Sequence, residues 1–550
     1  MLNVSEAEFV ALAERERGGR GKDHPGCVLT VPLAARLLSD QLTPVLAYRR
    51  LVAVDVRDAP SFLFESVEGG EREGRYSIMG AQPLIHVTAR ADRLSVRRRT
   101  DGLQPFAADP ERIGLDPLEF MRHVSRWYRL VKPEGPELPW GLPACLLGGW
   151  VGYAGYDSVR YAEGEKLPFA GAPRDDRDLP DVDFALYDGV VAFDHVGKVV
   201  HVVHLAVMDS EDDAAAVYRK AAARIRERIE ALSTHSKPLS PGVLRGPKGA
   251  RAAKAGTSNL TRDAHGVMVA RAKAYIAAGD VFQVVVGQRF ERASQADPFD
   301  VYRALRAVNP SPYMVYMQGA GCILVASSPE ILCRVKRTGE GLEVTNRPLA
   351  GTRRRGGTQA EDAALATELL ADPKERAEHI MLVDLGRNDV GRVSQPGTVA
   401  TPALMQIERY SHVMHISSTV TGCLRDGIDC WDALRAALPA GTVSGAPKVR
   451  AMQVIDELEP VRRGPYGGGM GYVGLDGQMD IALTLRTMVV PTALASGGPP
   501  ARWVYHLQAS GGIVADSEPD AEFQETVNKA AGLARAIEVA EQAFGRDASL

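Results

Sequence analysis

The chain has 550 residues, 45% of them hydrophobic and 24% charged, with a formal net charge of −4. That length can bury a large core and suggests two to four domain-sized units of an ordinary soluble protein. The acidic balance, without a basic stripe interleaved with aromatics, argues against a nucleic-acid partner, and no apolar run is long enough to imply a membrane span.

In chain order, residues 1–26 read as an N-terminal extension. Acidic and basic residues alternate there without the apolar h-region of a secretory signal, so a cytoplasmic location is expected. Residues 27–232 read as mixed strands and helices, punctuated by Pro/Gly-rich stretches at 133–143 and 164–180 and closing in a helix over 212–232. Residues 233–259 are basic, small and devoid of aromatics, which marks a flexible linker and the main boundary. Residues 260–545 carry nearly all the chemistry. The six cysteines never fall two or three apart, which disfavours a zinc knuckle or a redox pair and leaves reduced packing residues.

Residues 372–392 read as a helix with a carboxylate where a hydrocarbon belongs. Asp372 caps it, Pro373 fits the first helical position, Glu375 completes a capping box and Gly386 stops it. On a 3.6-residue spiral Glu378 lies over Met381, Leu382 and Leu385, while Ile380 and Val383 make the opposite side apolar too. Such a charge needs a metal, a cation or a proton, because stranding it is costly. A buried pair with Arg387 or Arg392 is the commoner solution, and the helix alone leaves both readings open.

His412 and His415 have the spacing of metal ligands on a helix. Their surroundings are strand-like, however, and on a strand residues three apart face opposite ways, so a two-histidine site is not expected. Residues 441–448 lack the Gly-Lys-Ser/Thr ending of a phosphate-binding loop. Residues 469–474 match the dinucleotide fingerprint only literally, because a hairpin follows where a helix must open. Residues 481–489 read as one strand after an Asp476-Gly477 turn, with Arg486 on the face of Ala482 and Thr484. That arginine is either snorkelling to solvent or awaiting an anion. The glycine-rich strings 467–471 and 510–512 are either turns or nests of bare amides that bind carboxylates. Together these features sketch an anion pocket with a hard cation held by oxygen ligands, which suits Mg²⁺. A small polycarboxylate or a phosphate ester is the implied substrate class.

An ordered series of strings adds a resemblance. Gly279-Asp-Val-Phe-Gln-Val-Val285, Asn309-Pro-Ser-Pro-Tyr-Met314, Ser327-Ser-Pro-Glu330 and Arg347-Pro-Leu-Ala-Gly-Thr352 precede the 372–392 helix. After it come Tyr410-Ser-His-Val-Met-His415, Pro439-Ala-Gly-Thr-Val-Ser-Gly-Ala-Pro-Lys448, Asp516-Ser517 and Glu525-Thr-Val-Asn-Lys529. The series resembles anthranilate synthase component I, among the chorismate-utilising enzymes. It covers the second region almost throughout and reaches the first, more weakly, through Phe64-Glu65-Ser66 and Gly74-Arg-Tyr-Ser77.

The resemblance implies an α/β (α+β) sandwich of large antiparallel sheets flanked by helices. It also implies conversion of chorismate and ammonia to anthranilate and pyruvate, the first step of tryptophan biosynthesis. Carried over position by position, Glu378 and Glu525 would hold Mg²⁺ against the ring carboxylate. Tyr466, Arg486 and the amides of Ser510, Gly511 and Gly512 would take the enolpyruvyl carboxylate, with Gln283, Gly351, Thr352 and Thr442 around the ring. Glu330 would be the general acid for the departing 4-hydroxyl, and His415 would assist loss of the C2 proton.

Gln283 stands where water-adding relatives look to a lysine base, and Ala350 where aminodeoxychorismate synthases carry a nucleophilic lysine. Ammonia itself is therefore the expected attacking species. No cysteine sits in a Gly-x-Cys-x-Gly elbow, so a separate glutamine amidotransferase subunit, component II, is expected to supply it, in a heterotetramer of two chains of each component. Ser66 with Pro312, Tyr313 and Met314 matches the family's tryptophan pocket, which implies feedback inhibition. The family's Gln-Ala-Gly-Ala-Gly is here Gln508-Ala-Ser510-Gly-Gly512, and the Ser510 amide can still donate. Two alternatives stand beside this reading: an aminodeoxyisochorismate synthase without the lyase step, and a catalytically silent tryptophan-sensing partner protein.

Overall fold

The computed structural model describes residues 2–18, 27–52, 59–66, 74–98, 111–133, 140–234, 239, 241–243, 253–410, 413–496 and 502–544. Parts of the N-terminal extension and of the 233–259 linker, and His412, lie outside the described residues.

Strand-forming residues collect into two large sheets, of thirteen and twelve strands among the described residues. Runs such as Val199–Met208, β-branched and buried along nearly their whole length, are apolar on both faces because both faces of the sheet are covered. Pairing is mainly antiparallel, although Val28–Leu38 and Tyr128–Leu130 run parallel. Both sheets draw strands from either side of the linker. In the larger one Ser61–Glu65 pairs with Tyr313–Gln318, placing Glu65 opposite Met314. In the other Gly149–Ala154 pairs with Gly469–Gly474, placing Ala154 opposite Gly469. A side chain at Gly152 could not fit, since a Cβ there would come 1.9 Å from the Asp183 carbonyl oxygen.

Phe62, Tyr187, Val315, Leu324, Met470 and Val489 belong to a core between the sheets. Helices Ala214–Ser233, Pro298–Val308 and Pro519–Phe544 pack on the outer face of the larger sheet. Helices Pro117–Ser125, Pro373–Gly391 and Cys430–Ala437 pack on that of the smaller one. The architecture is the expected helix-flanked sandwich of antiparallel sheets.

Three local expectations change. The helix at Pro373 runs on to Gly391, and Gly386 lies buried within it, where a Cβ would come 2.7 Å from Asn346 Oδ1. That glycine permits close packing and is not a stop signal. Asp372 caps the helix by accepting from the Lys374 and Glu375 amides, but the Glu375 carboxylate turns to Arg353 instead of closing a capping box. The single strand read over 481–489 is two strands in different sheets. Met479–Leu483 belongs to the smaller sheet and Thr487–Pro491 to the larger, and the chain crosses between them at residues 484–486. Arg486 makes the crossing with φ +45°, a left-handed conformation that costs a side-chain-bearing residue roughly 1–2 kcal/mol. Its carbonyl oxygen accepts from the Ser327 amide at 3.1 Å.

Glu65, next to the seam of the larger sheet, accepts from Tyr302 Oη at 2.6 Å and from Arg306 Nη2 at 3.1 Å. Glu65→Ala removes one member of this buried set and is expected to cost about 3 kcal/mol in urea denaturation. A loss below about 1 kcal/mol would show that water already screens the charges.

Candidate active site

Gln283 opens the strand Gln283–Ser294, between the short strand Gly445–Ala446 and the long strand Trp503–Ile513. The register sets Gly512 opposite Val285, Gly511 opposite Val286 and Ser510 opposite Gly287. Gln283 is buried; its Nε2 donates to Glu378 Oε1 at 3.2 Å, while its Oε1 has no hydrogen-bond partner. A Cβ at Gly512 would come 2.5 Å from Gln283 Nε2, and one at Gly511 would come 2.8 Å from Glu522 Oε2. The bare glycines let two polar side chains close over the strand.

Glu378 arrives on the helix Pro373–Gly391 and Glu525 on the helix Pro519–Phe544. Burial raises the Glu378 carboxyl above the usual range; Gln283 opposes the rise, and the charges of Glu375 and Glu525 add to it. The two predicted metal ligands therefore lie close enough for the charge of Glu525 to be felt at Glu378. The arginine pairing does not form: Arg387 pairs with Asp384, and Arg392 lies past the helix end. Glu525 makes the expected i,i+4 pair with Lys529 at 2.6 Å, and Lys529 also donates to the Ser510 carbonyl oxygen at 2.9 Å.

Two further carboxylates escape the motif reading. Glu375 accepts from Arg353 Nη1 at 3.1 Å and lies against Gly351. Glu522 has a buried Oε2 without a hydrogen-bond partner, and burial raises its carboxyl as well. Each lies three residues before a predicted ligand, a spacing that puts both on one helix face. That spacing was the signal available in the sequence. The donors here are all oxygen, and an unpartnered buried carboxylate oxygen suits a hard divalent cation that keeps water. Among the described residues no three His, Cys, Asp or Glu side chains form a ready metal cage. Such a cation would take the rest of its shell from water and substrate.

Glu330 follows the strand Cys322–Ser328 and lies buried. Burial pushes its carboxyl up to about 8, against the opposing pull of the Thr442 hydroxyl, the Leu349 amide and the Arg486 charge. Thr442 Oγ1 donates to Glu330 Oε1 at 3.1 Å from the helical turn Gly441–Ser444.

His415, on the strand Val413–Cys423, stands opposite Thr352. Its Nδ1 is 2.9 Å from the Gly351 carbonyl oxygen, so a proton on Nδ1 satisfies that contact. Nε2 is then left with its lone pair, buried and without a partner. Burial and the Arg486 charge hold the imidazole down to about 4. Tyr466 is buried with Ser510 beside its hydroxyl.

The predicted inhibitor residues lie beside the pairing of Ser61–Glu65 with Tyr313–Gln318. Ser66 follows the strand paired with Tyr313–Gln318, and its buried hydroxyl has no partner. Met314 is buried, Pro312 lies two residues before it, and the Tyr313 hydroxyl donates to Asp480 at 2.8 Å.

Comparison with known proteins places this geometry. The sequence pattern of chorismate binding enzymes matches residues 71–535. The rice (Oryza sativa subsp. indica) protein "Anthranilate synthase alpha subunit 1, chloroplastic" is 51% identical, covering 98% of this chain and 93% of its own length. The Arabidopsis thaliana protein of the same name is 52% identical, covering 94% of this chain and 86% of its own length. The crystal structure of anthranilate synthase component I from Streptococcus pneumoniae superposes with a TM-score of 0.66 at 33% identity, covering 91% of this chain and 99% of that one.

The plant relatives are chloroplastic, and on that finding the expected cytoplasmic location does not stand. The missing apolar h-region bears on secretory targeting alone and does not distinguish cytoplasm from plastid. The chain belongs to the chorismate binding enzymes and, within them, to the anthranilate synthase component I group.

Proposed function

We propose that this chain converts chorismate and ammonia to anthranilate and pyruvate with Mg²⁺ bound. The observation that carries the reading is Glu330, a buried carboxyl pushed up to about 8, which shares the charge of Arg486 with a buried histidine kept neutral. Elimination of a ring hydroxyl needs such an acid, and removal of a ring proton needs such a base.

In the first step the nitrogen bonds to C2, both ring double bonds shift (C1=C2 to C1=C6 and C5=C6 to C4=C5) and the C4–O bond breaks. Glu330 gives its proton to the departing oxygen, which leaves as water. Gln283 has no base to activate water, and its unpartnered Oε1 can accept from ammonia. In the second step His415 Nε2 takes the C2 proton, the C3–O bond breaks, and the enolpyruvyl group leaves as pyruvate once its methylene gains a proton. A Mg²⁺ ion between Glu378 and Glu525 would neutralise and orient the ring carboxylate. Arg486, Tyr466 and the amides of residues 510–512 suit the second carboxylate.

Two partners belong to the same reading. An amidotransferase subunit, component II, would deliver ammonia from glutamine in an assembly of two chains of each. Tryptophan would inhibit from the pocket of Ser66, Pro312, Tyr313 and Met314, where the unpartnered Ser66 hydroxyl is available to a ligand.

Incubating the purified chain with chorismate, ammonium and Mg²⁺ is expected to release anthranilate and pyruvate in equal amounts. A product that keeps the enolpyruvyl group would identify an aminodeoxyisochorismate synthase instead, and no product at all would favour the silent sensor. At a constant concentration of neutral ammonia, turnover should hold below about pH 8 and fall as pH rises through that value. Glu330 must be protonated to act, and it loses its proton there. Turnover that stays level well above pH 8 would remove Glu330 from the acid role.

A further inference from the structure

One of the largest fully buried side chains in this protein is an arginine that contributes nothing to the chemistry above. Arg463 and its partner Glu459 have side chains only 1% and 3% exposed. The guanidinium grips Glu459 as a fork, Nε to Oε2 at 2.9 Å and Nη2 to Oε1 at 2.6 Å. Nη2 also donates to the Val285 carbonyl oxygen at 2.7 Å, and Nη1 to the Val443 carbonyl oxygen at 2.6 Å. The plane lies over the Tyr156 ring, 4.5 Å from its centroid.

The backbone partners show what the pair replaces. On one edge of the strand Gln283–Ser294, Gly445–Ala446 covers residues 283 and 284, and Thr257–Ser258 covers residues 290 and 291. Between them no strand among the described residues borders this edge. There the Val285 carbonyl finds Arg463, and the Gly287 amide donates to Glu459 Oε1 at 2.9 Å. A carboxylate and a guanidinium thus stand in for the acceptor and donor of an absent strand.

The same guanidinium holds Val443, the residue after Thr442, whose hydroxyl donates to Glu330. It also fixes Val285, two residues after Gln283. A buried ion pair is poor evidence for stability, because desolvation offsets much of the attraction and apolar replacements are often neutral. Its geometry is the informative part: a planar fork fixes two backbone carbonyls and a carboxylate at set angles, which a single ammonium cannot do.

We propose that the Arg463–Glu459 pair is a positioning device for the reaction proposed above, holding the Thr442 turn and the Gln283 strand in register around Glu330. It touches no substrate and acts through Thr442 and Gln283.

The test is a double-mutant cycle with Arg463→Lys and Thr442→Val, read as steady-state rates of anthranilate formation from chorismate and ammonium. Arg463→Lys should lower kcat about tenfold or more, with KM for chorismate little changed. Thr442→Val should then cost much less in the Arg463→Lys background than in the wild-type chain, because the hydroxyl is already misplaced. Equal penalties in both backgrounds, or a lowered Tm with wild-type kcat, would overturn the proposal and leave the pair as packing. Should Arg463→Lys not fold, Glu459→Gln, which keeps an acceptor for the Gly287 amide but loses the charge, takes its place in the same cycle. Wild-type turnover is measured first, so failure of the reaction itself is seen there and is distinct from failure of the positioning role.

Discussion

Two helices bring carboxylates to the strand that Gly511 and Gly512 leave free of side chains, Glu522 directly and Glu378 through Gln283, and the rest of the site follows from that constraint. Glu378 is raised by burial and by its like-charged neighbours, and Glu522 keeps a buried oxygen with no partner. Glu525 is half-exposed, but a partly buried carboxylate beside like charges is unfavourable unless something positive joins it. In this structure Lys529 partly answers the need, joined to Glu525 and to the Ser510 carbonyl. A small hard cation, as proposed, would answer the rest and would suit the space beside it to a substrate carboxylate. Charge thus defines the ligand before any catalytic group is considered.

The acid and the base share one cause. Burial favours the neutral form of every titratable group, so it raises Glu330 to about 8 and lowers His415 to about 4. A protonated acid and an unprotonated base at neutral pH are what the proposed elimination requires, and burial of each group accounts for both. Arg486 opposes the first shift and reinforces the second. Its left-handed backbone at the crossing between sheets lets a single residue serve both groups. The sandwich matters here because each sheet delivers part of the set: Gln283 and the 510–512 amides come from the larger, His415 from the smaller, and Glu330 from the turn between strands of each.

Local chemistry was the legible part of the sequence. Asp372 before Pro373 announces a helix start whatever surrounds it, and Glu525 with Lys529 announces an i,i+4 pair; both are present. The helix end was misread because Gly386 is there for contact with Asn346, and contact across elements leaves no local mark. The crossing at 484–486 was invisible for a related reason. The alternation of apolar residues continues through it, and Arg486 adopts a conformation that sequence patterns assign to Gly or Asn. Ligand roles for Glu378 and Glu525 came from the resemblance; Glu375 and Glu522 were marked only by their three-residue spacing from them, and the Arg463–Glu459 pair declares itself only once the strands and helices are in place. The seams that join the two halves of each sheet are long-range pairings, which residue order cannot reveal.

The central claim is that Glu378 and Glu525 together hold a divalent ion beside the substrate carboxylate. Anomalous diffraction from crystals grown with Mn²⁺ and a non-reactive aromatic carboxylate tests it most directly. The account predicts one strong peak between those two carboxylates, above Gly511 and Gly512, with Lys529 drawn away from Glu525. A peak elsewhere, or a bound carboxylate with the Lys529–Glu525 pair intact and no metal between the helices, would contradict it.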